Sequence, residues 1–162
     1  MRDLYTVVAD LDAEKVVESL FSSRQEALQV SFGFDKESDL LRWSGRDSGC
    51  FKDAQEVMRP ILSSHRHAIV LFDLHGSGEE SSSRVEVERK VEARLARNGW
   101  NDRAAAIAID PELEAWMWVA SPHLPLNLKW GNDTAQLRLA VEQGGFYFGD
   151  NGKPLKPKEA LA

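Results

Sequence analysis

The stretch that most constrains the fold is Ala68-Ile-Val-Leu-Phe-Asp-Leu-His75, which runs into Gly76-Ser-Gly78 and an acidic, serine-rich segment from Glu79 to Ser83. A continuous apolar run of this length, closed by an aspartate and then glycines, predicts a strand buried on both faces with Asp73 at its carboxyl end. Two other apolar runs end the same way, Tyr5-Thr-Val-Val-Ala-Asp10 and Ala104-Ala-Ala-Ile-Ala-Ile-Asp110. The carboxyl ends of strands in a parallel sheet face the ligand crevice, so all three aspartates are expected along one edge of one sheet.

The segments between these runs read mostly as helices. Asp12 is expected to cap a helix that carries Val16, Val17, Leu20 and Phe21 at helical spacing. Ser83 and Glu86 satisfy the serine capping box for a helix with an apolar stripe of Val87, Val91 and Leu95, ended by Gly99. Asp53 and Glu56 suggest a weaker capping box for a helix through Val57, Met58, Ile61 and Leu62, with Pro60 kinking it or marking its start. Asp110-Pro111 is expected to open a further helix bearing Glu112, Glu114, Trp116 and Trp118. A short helix is expected around Leu137 to Val141, before Gly144.

Leu28, Val30 and Phe32 alternate with polar residues and predict an edge strand over 28–34. Arg42-Trp-Ser-Gly-Arg-Asp-Ser-Gly49 reads as a glycine- and serine-rich loop holding two arginines. The β-α alternation points to an α/β layered fold with a mostly parallel central sheet flanked by helices. One domain over 1–150 is expected, followed by a basic, proline-containing tail over 151–162, in which residues 153–158 are expected to be extended and exposed and 159–162 to begin a helix.

With 162 residues, 43% of them hydrophobic and 28% charged, the chain can bury a real core. Its apolar runs are far shorter than the roughly 20 residues that cross a bilayer, and Met1-Arg2-Asp3-Leu4 lacks a secretory pattern, so no membrane association and a cytoplasmic location are expected. Cys50 is the only cysteine, which excludes an internal disulfide and a cysteine-rich zinc site. A net charge of −6 argues against a broad basic nucleic-acid surface and leaves local patches. There is no Walker A loop, no Gly-x-Gly-x-x-Gly fingerprint, no Gly-x-Ser-x-Gly elbow and no histidine pair at zinc spacing.

The carboxylates Asp10, Asp12, Asp73, Asp110, Glu112 and Glu114 are therefore the main candidates for chemistry. Carboxylates held close together repel one another, and a hard cation such as Mg2+ or Mn2+ relieves the repulsion while keeping room for phosphate oxygens. Such a site suits phosphoryl chemistry on nucleic acid. Helix capping is the competing role, and for Asp110, Glu112 and Glu114 both stay open. His75 is read as a metal ligand, a general base or a structural hydrogen-bonding residue. Arg42 and Arg46 are candidates for holding phosphate oxygens or are solvated loop residues. Trp116, Trp118 and Trp130 read as core or interface residues ahead of base-stacking platforms.

Four motifs together resemble the Toprim-like proteins found beside prokaryotic methylation-associated, anti-phage defence genes. They are Ala9-Asp10-Leu11-Asp12, Arg46-Asp47-Ser48-Gly49, Phe72-Asp73-Leu74-His75-Gly76-Ser77-Gly78 and Pro111-Glu112-Leu113-Glu114-Ala115-Trp116. The resemblance spans nearly the whole chain, to Lys156-Pro157-Lys158-Glu159-Ala160. It implies a Toprim-like fold and a metal-dependent nuclease module acting on DNA or RNA phosphodiesters. Asp10, Glu112 and Glu114 would be catalytic, Asp73, Asp10, His75 and Glu112 would hold Mg2+ or Mn2+, and Arg46 and Arg42 would bind phosphate. Other defence-system proteins would be its partners. The sequence departs from the Toprim pattern at Ala9, where a glutamate is usual, and at Asp73-Leu-His75, where Asp-x-Asp is usual. The alternative is a catalytically degenerate scaffold serving as an interaction or sensing subunit. A small-nucleotide regulator ranks lower, because no glycine-rich phosphate loop opens a helix.

Overall fold

The computed structural model describes residues 1–162 and divides into two compact units, Met1–Asp110 and Pro111–Ala162. The first unit is an α/β layer. Strands β1 (Arg2–Val8), β2 (Leu40–Arg42), β3 (His65–Asp73) and β4 (Ala104–Ile109) form one sheet in the order β2-β1-β3-β4, and every pairing is parallel. Its helices are α1 (Leu11–Ser23), α2 (Lys36–Asp39), α3 (Arg46–Met58) and α4 (Arg84–Leu95).

The apolar run that predicted a doubly buried strand is β3. Val70 and Phe72 face the side covered by Cys50, Phe51, Ala54 and Met58 of α3 and by Val87, Val91 and Leu95 of α4. Leu71, the alternate residue, is buried as well. In the register of β3 with β4, Val70 meets Ala106 and Phe72 meets Ala108, so a large residue on one strand faces a small one on the next. The capping box of α4 forms as read, with Ser83 accepting from the Glu86 N–H while the Glu86 carboxylate accepts from the Ser83 N–H.

Several local expectations are corrected. Residues 28–34 make no strand. The Gln25 side chain donates to the Phe21 and Phe32 carbonyls and accepts from the Phe32 N–H, and Phe21 packs edge-on against Phe32 and Phe34, which folds the segment back as a loop. The edge beside β1 is taken instead by Leu40–Arg42. Asp10, rather than Asp12, caps α1, and its carboxylate accepts from the Ala13 N–H at 2.8 Å.

Of the stretch read as a glycine- and serine-rich loop, Arg42 closes β2 and the part from Arg46 becomes the start of α3. A Cβ at Gly45 would lie 2.5 Å from Trp43 Nε1 and one at Gly49 2.8 Å from it, so both glycines make room for the indole. Asp53 therefore lies inside α3, and Pro60 falls in the tight turn Arg59–Ile61 that follows the helix.

The outer edge of the sheet, beyond β4, is closed by side chains. Glu88 Oε1 accepts from the Ala108 N–H and Glu92 Oε1 from the Ala106 N–H, each at 3.1 Å, from adjacent turns of α4. Unpaired N–H groups on an edge strand are templates for another strand. Replacing both glutamates by alanine is expected to cost about 1 kcal/mol per lost bond and to produce a larger species than the parent in sedimentation velocity. An unchanged sedimentation coefficient would contradict the edge-closing role.

The second unit contains α5 (His123–Asn127) and α6 (Thr134–Gln143), the latter capped by Asp133, around a small core of Trp118, Leu124 and Leu137. Phe148 meets Trp118 edge-on at 5.8 Å and lies under the Arg138 guanidinium at 4.3 Å. After Asp110-Pro111 only a tight turn forms, Leu113–Trp116, in place of the expected helix. The basic tail is docked instead of fully extended and exposed. Pro154 and Pro157 are buried, Pro154 bridges Phe148, and the Pro157 carbonyl accepts from Trp118 Nε1. Trp118 is the buried tryptophan of this unit, whereas Trp116 and Trp130 are exposed. No helix is long and apolar enough to cross a membrane.

Candidate functional site

The sheet order places β1 and β3 side by side, with β2 beyond one and β4 beyond the other. This is the switch point at which the crossovers diverge, and ligands of open parallel sheets bind beside the carboxyl ends of such strands. Val8 pairs with Leu71, so Asp10 and Asp73 each follow that register pair by two residues and stand at the same level of the sheet edge. Both are half-buried.

A third aspartate joins them. Asp47, in the first turn of α3, accepts the Asp73 backbone N–H on Oδ1 at 2.8 Å. Its Oδ2 lies 3.2 Å from where a Cβ on Gly76 would be, so the same carboxylate leaves little room for a side chain at that position of the loop leaving β3. The neighbouring Cys50 thiol registers the resulting field. Burial first, and then the negative charges of Asp47, Asp10 and Asp53, push its pKa up to about 12, which keeps it a protonated, unreactive thiol.

Arg46 is exposed at the head of α3 with φ +54, a left-handed conformation uncommon outside glycine and found with some frequency at functional sites. Arg42 turns toward α1 and pairs with Glu14 at 3.2 Å. His75 is exposed in the loop after β3, and Asp12 is exposed in the first turn of α1.

In the second unit, Glu112 is 8% exposed and accepts the Lys158 backbone N–H on Oε1 at 2.9 Å, while Glu114 pairs with the Lys158 ammonium at 3.4 Å. The basic tail thus tethers the Pro-Glu-Leu-Glu segment. Glu112 and Glu114 each offer a carboxylate oxygen of the kind a divalent metal takes. Carboxylate oxygens are hard donors, which suit Mg2+ or Mn2+ better than a soft metal.

Asp47 stands inside one of the four motifs, but nothing in that motif signals its bond to the Asp73 N–H. Glu80, in a segment that reads as an acidic, serine-rich loop, also lacks a sequence signal, yet its carboxylate accepts backbone N–H bonds from the loop after β3. No family model matches this sequence, and no curated protein or solved structure is significantly similar to it.

Proposed function

We propose that the chain is a Toprim-like, metal-dependent nuclease module of a prokaryotic anti-phage defence system, acting on nucleic-acid phosphodiesters. The observation that carries this reading is the pair Asp10 and Asp73, set level at the carboxyl ends of the two central parallel strands. Asp73 would hold the cation, and the carboxylates of Glu112 and Glu114, which follow β4 in the chain, would be further ligands or the base. A bound divalent cation in such a setting supplies charge neutralisation at the phosphate and a more acidic water. The residues themselves would orient the cation, accept a proton from the attacking water at a glutamate oxygen, and steady the phosphate with Arg46.

A second reading, a degenerate scaffold within a larger complex, is favoured by one specific observation: the Asp10 carboxylate is engaged in capping α1. The two readings separate in an assay of Mn2+-dependent cleavage of single- and double-stranded DNA and of RNA. The nuclease reading expects cleavage by the parent that falls by more than about 100-fold in Asp73→Asn, since even residues that merely orient a metal ligand are worth 10- to 100-fold. Absence of cleavage by the parent, or equal cleavage by both proteins, would overturn it in favour of the scaffold.

A further inference from the structure

The loop that leaves β3 already holds an anion, and that anion is its own. Glu80 Oε1 accepts the Gly76 N–H at 2.9 Å and the Gly78 N–H at 3.2 Å. Both glycines have positive φ, +95 and +85, which turns their N–H groups toward one point. Converging backbone N–H groups of this kind form an anion-binding concavity. The Glu80 carboxyl is held below its usual range by its own N–H and by those of Gly76 and Gly78, so the occupant is charged.

The donors are set in place without help from Glu80. Ser77 is fully buried, its hydroxyl donates to the Leu74 carbonyl at 2.7 Å, and its N–H donates to the same carbonyl at 3.2 Å. The Ser77 Oγ accepts from the Glu79 N–H at 3.1 Å, and Asp47 holds the Asp73 N–H at the stem of the loop. Glu80 itself is exposed, on a serine-rich segment. A rigid donor set with a removable occupant therefore begins three residues past Asp73, at the sheet edge where ligands of this architecture bind.

We infer that the Gly76–Gly78 loop is a phosphate-binding site which Glu80 occupies as an internal stand-in, and that a phosphate group of the substrate displaces the Glu80 carboxylate. The inference deepens the nuclease reading and rests on it for the identity of the phosphate donor. A phosphate carries more charge and more acceptor oxygens than one carboxylate, so it can take both N–H bonds and use Arg46 or the metal as well. Glu80 then acts as a tethered competitor that raises the concentration of phosphate needed to fill the loop.

The test is a titration of the full chain with inorganic phosphate, followed through the backbone amide resonances of Gly76 and Gly78, without metal. In Glu80→Ala these two resonances are expected to shift saturably at phosphate concentrations about tenfold lower than in the parent, because the competitor's occupancy no longer has to be overcome. Gly78→Ala in the Glu80→Ala background is expected to abolish the response. A Cβ there meets nothing within 4 Å, so the change acts through the φ of +85 and not through a clash. No saturable shift in Glu80→Ala, or the same midpoint in parent and variant, would overturn the inference. A parallel titration with a short oligothymidylate separates this from the function: a response to inorganic phosphate but none to the oligonucleotide leaves the phosphate site standing and removes nucleic acid as its source.

Discussion

Asp39→Ala is expected to destabilise the first unit by about 3 kcal/mol, the scale of breaking a buried ionic group away from its partners. Asp39 is 1% exposed, at the end of α2, and its carboxylate is held from three directions. The Arg2 guanidinium binds it in bidentate fashion, with Nη2 at 2.7 Å from Oδ2, the Asp35 N–H donates at 2.8 Å, and the buried His65 ring lies at 3.2 Å through Nε2. His65 is in turn bonded through Nδ1 to the Ser64 hydroxyl at 2.8 Å and packed edge-on by Tyr5. One carboxylate therefore ties the starts of β1 and β3 to the connection entering β2.

The pH dependence follows from the same contacts. Burial alone would raise the Asp39 pKa, but the bonds from Arg2, Asp35 and His65 outweigh it and hold the value below the ordinary 3.8. A depressed carboxyl pKa contributes stability above the unfolded-state value and loses it as the pH falls through the folded-state value. Urea melts of parent and Asp39→Ala should therefore differ fully at neutral pH and converge below about pH 4. A constant difference across that range would show that Asp39 acts by packing and not by charge.

Phe72→Ala is expected to cost about 4 kcal/mol, within the range for removing a buried aromatic ring. Phe72 is 1% exposed and lies between Leu71 and Asp73 on β3, packed in the cluster that joins the sheet to α3 and α4. Its register partner Ala108 cannot fill the space, and Ala106, one layer back, is equally small. Phe72→Leu keeps most of the volume and should cost no more than about 1.5 kcal/mol. Denaturant midpoints at constant m-value measure both, and equal costs for the two variants would mean that the site collapses around the missing ring. Because Asp73 follows directly, Phe72→Ala should also weaken the proposed Mn2+ binding, whereas Asp39→Ala, acting at the opposite end of β3, should not.

Elements signalled by local chemistry were legible in the sequence. The runs that became β3 and β4 are continuous and apolar, and the α4 capping box needs only residues three apart. What escaped depends on partners distant in the chain. Strand β2 is three residues long and exists because Thr6, Val7 and Val8 pair with it, whereas the alternation at Leu28, Val30 and Phe32 had no strand to meet and was closed off by Gln25. Among site residues, the strand-end positions of Asp10 and Asp73 followed from the apolar runs. Asp47 could not be found that way, since its role is a bond to a backbone N–H 26 residues further along. Glu80 was hidden in a segment that reads simply as an acidic loop, because an anion site made of backbone N–H groups leaves only glycines in the sequence.

The central claim is that Asp73 holds a divalent cation at the carboxyl edge of the sheet. A Mn2+ titration followed by electron paramagnetic resonance, with parent, Asp73→Asn and the exposed-residue control Asp12→Asn, tests it most directly. The account predicts saturable binding in the parent and in Asp12→Asn, lost in Asp73→Asn while the fold is retained. Binding unchanged in Asp73→Asn, or no saturable binding by the parent, would contradict it.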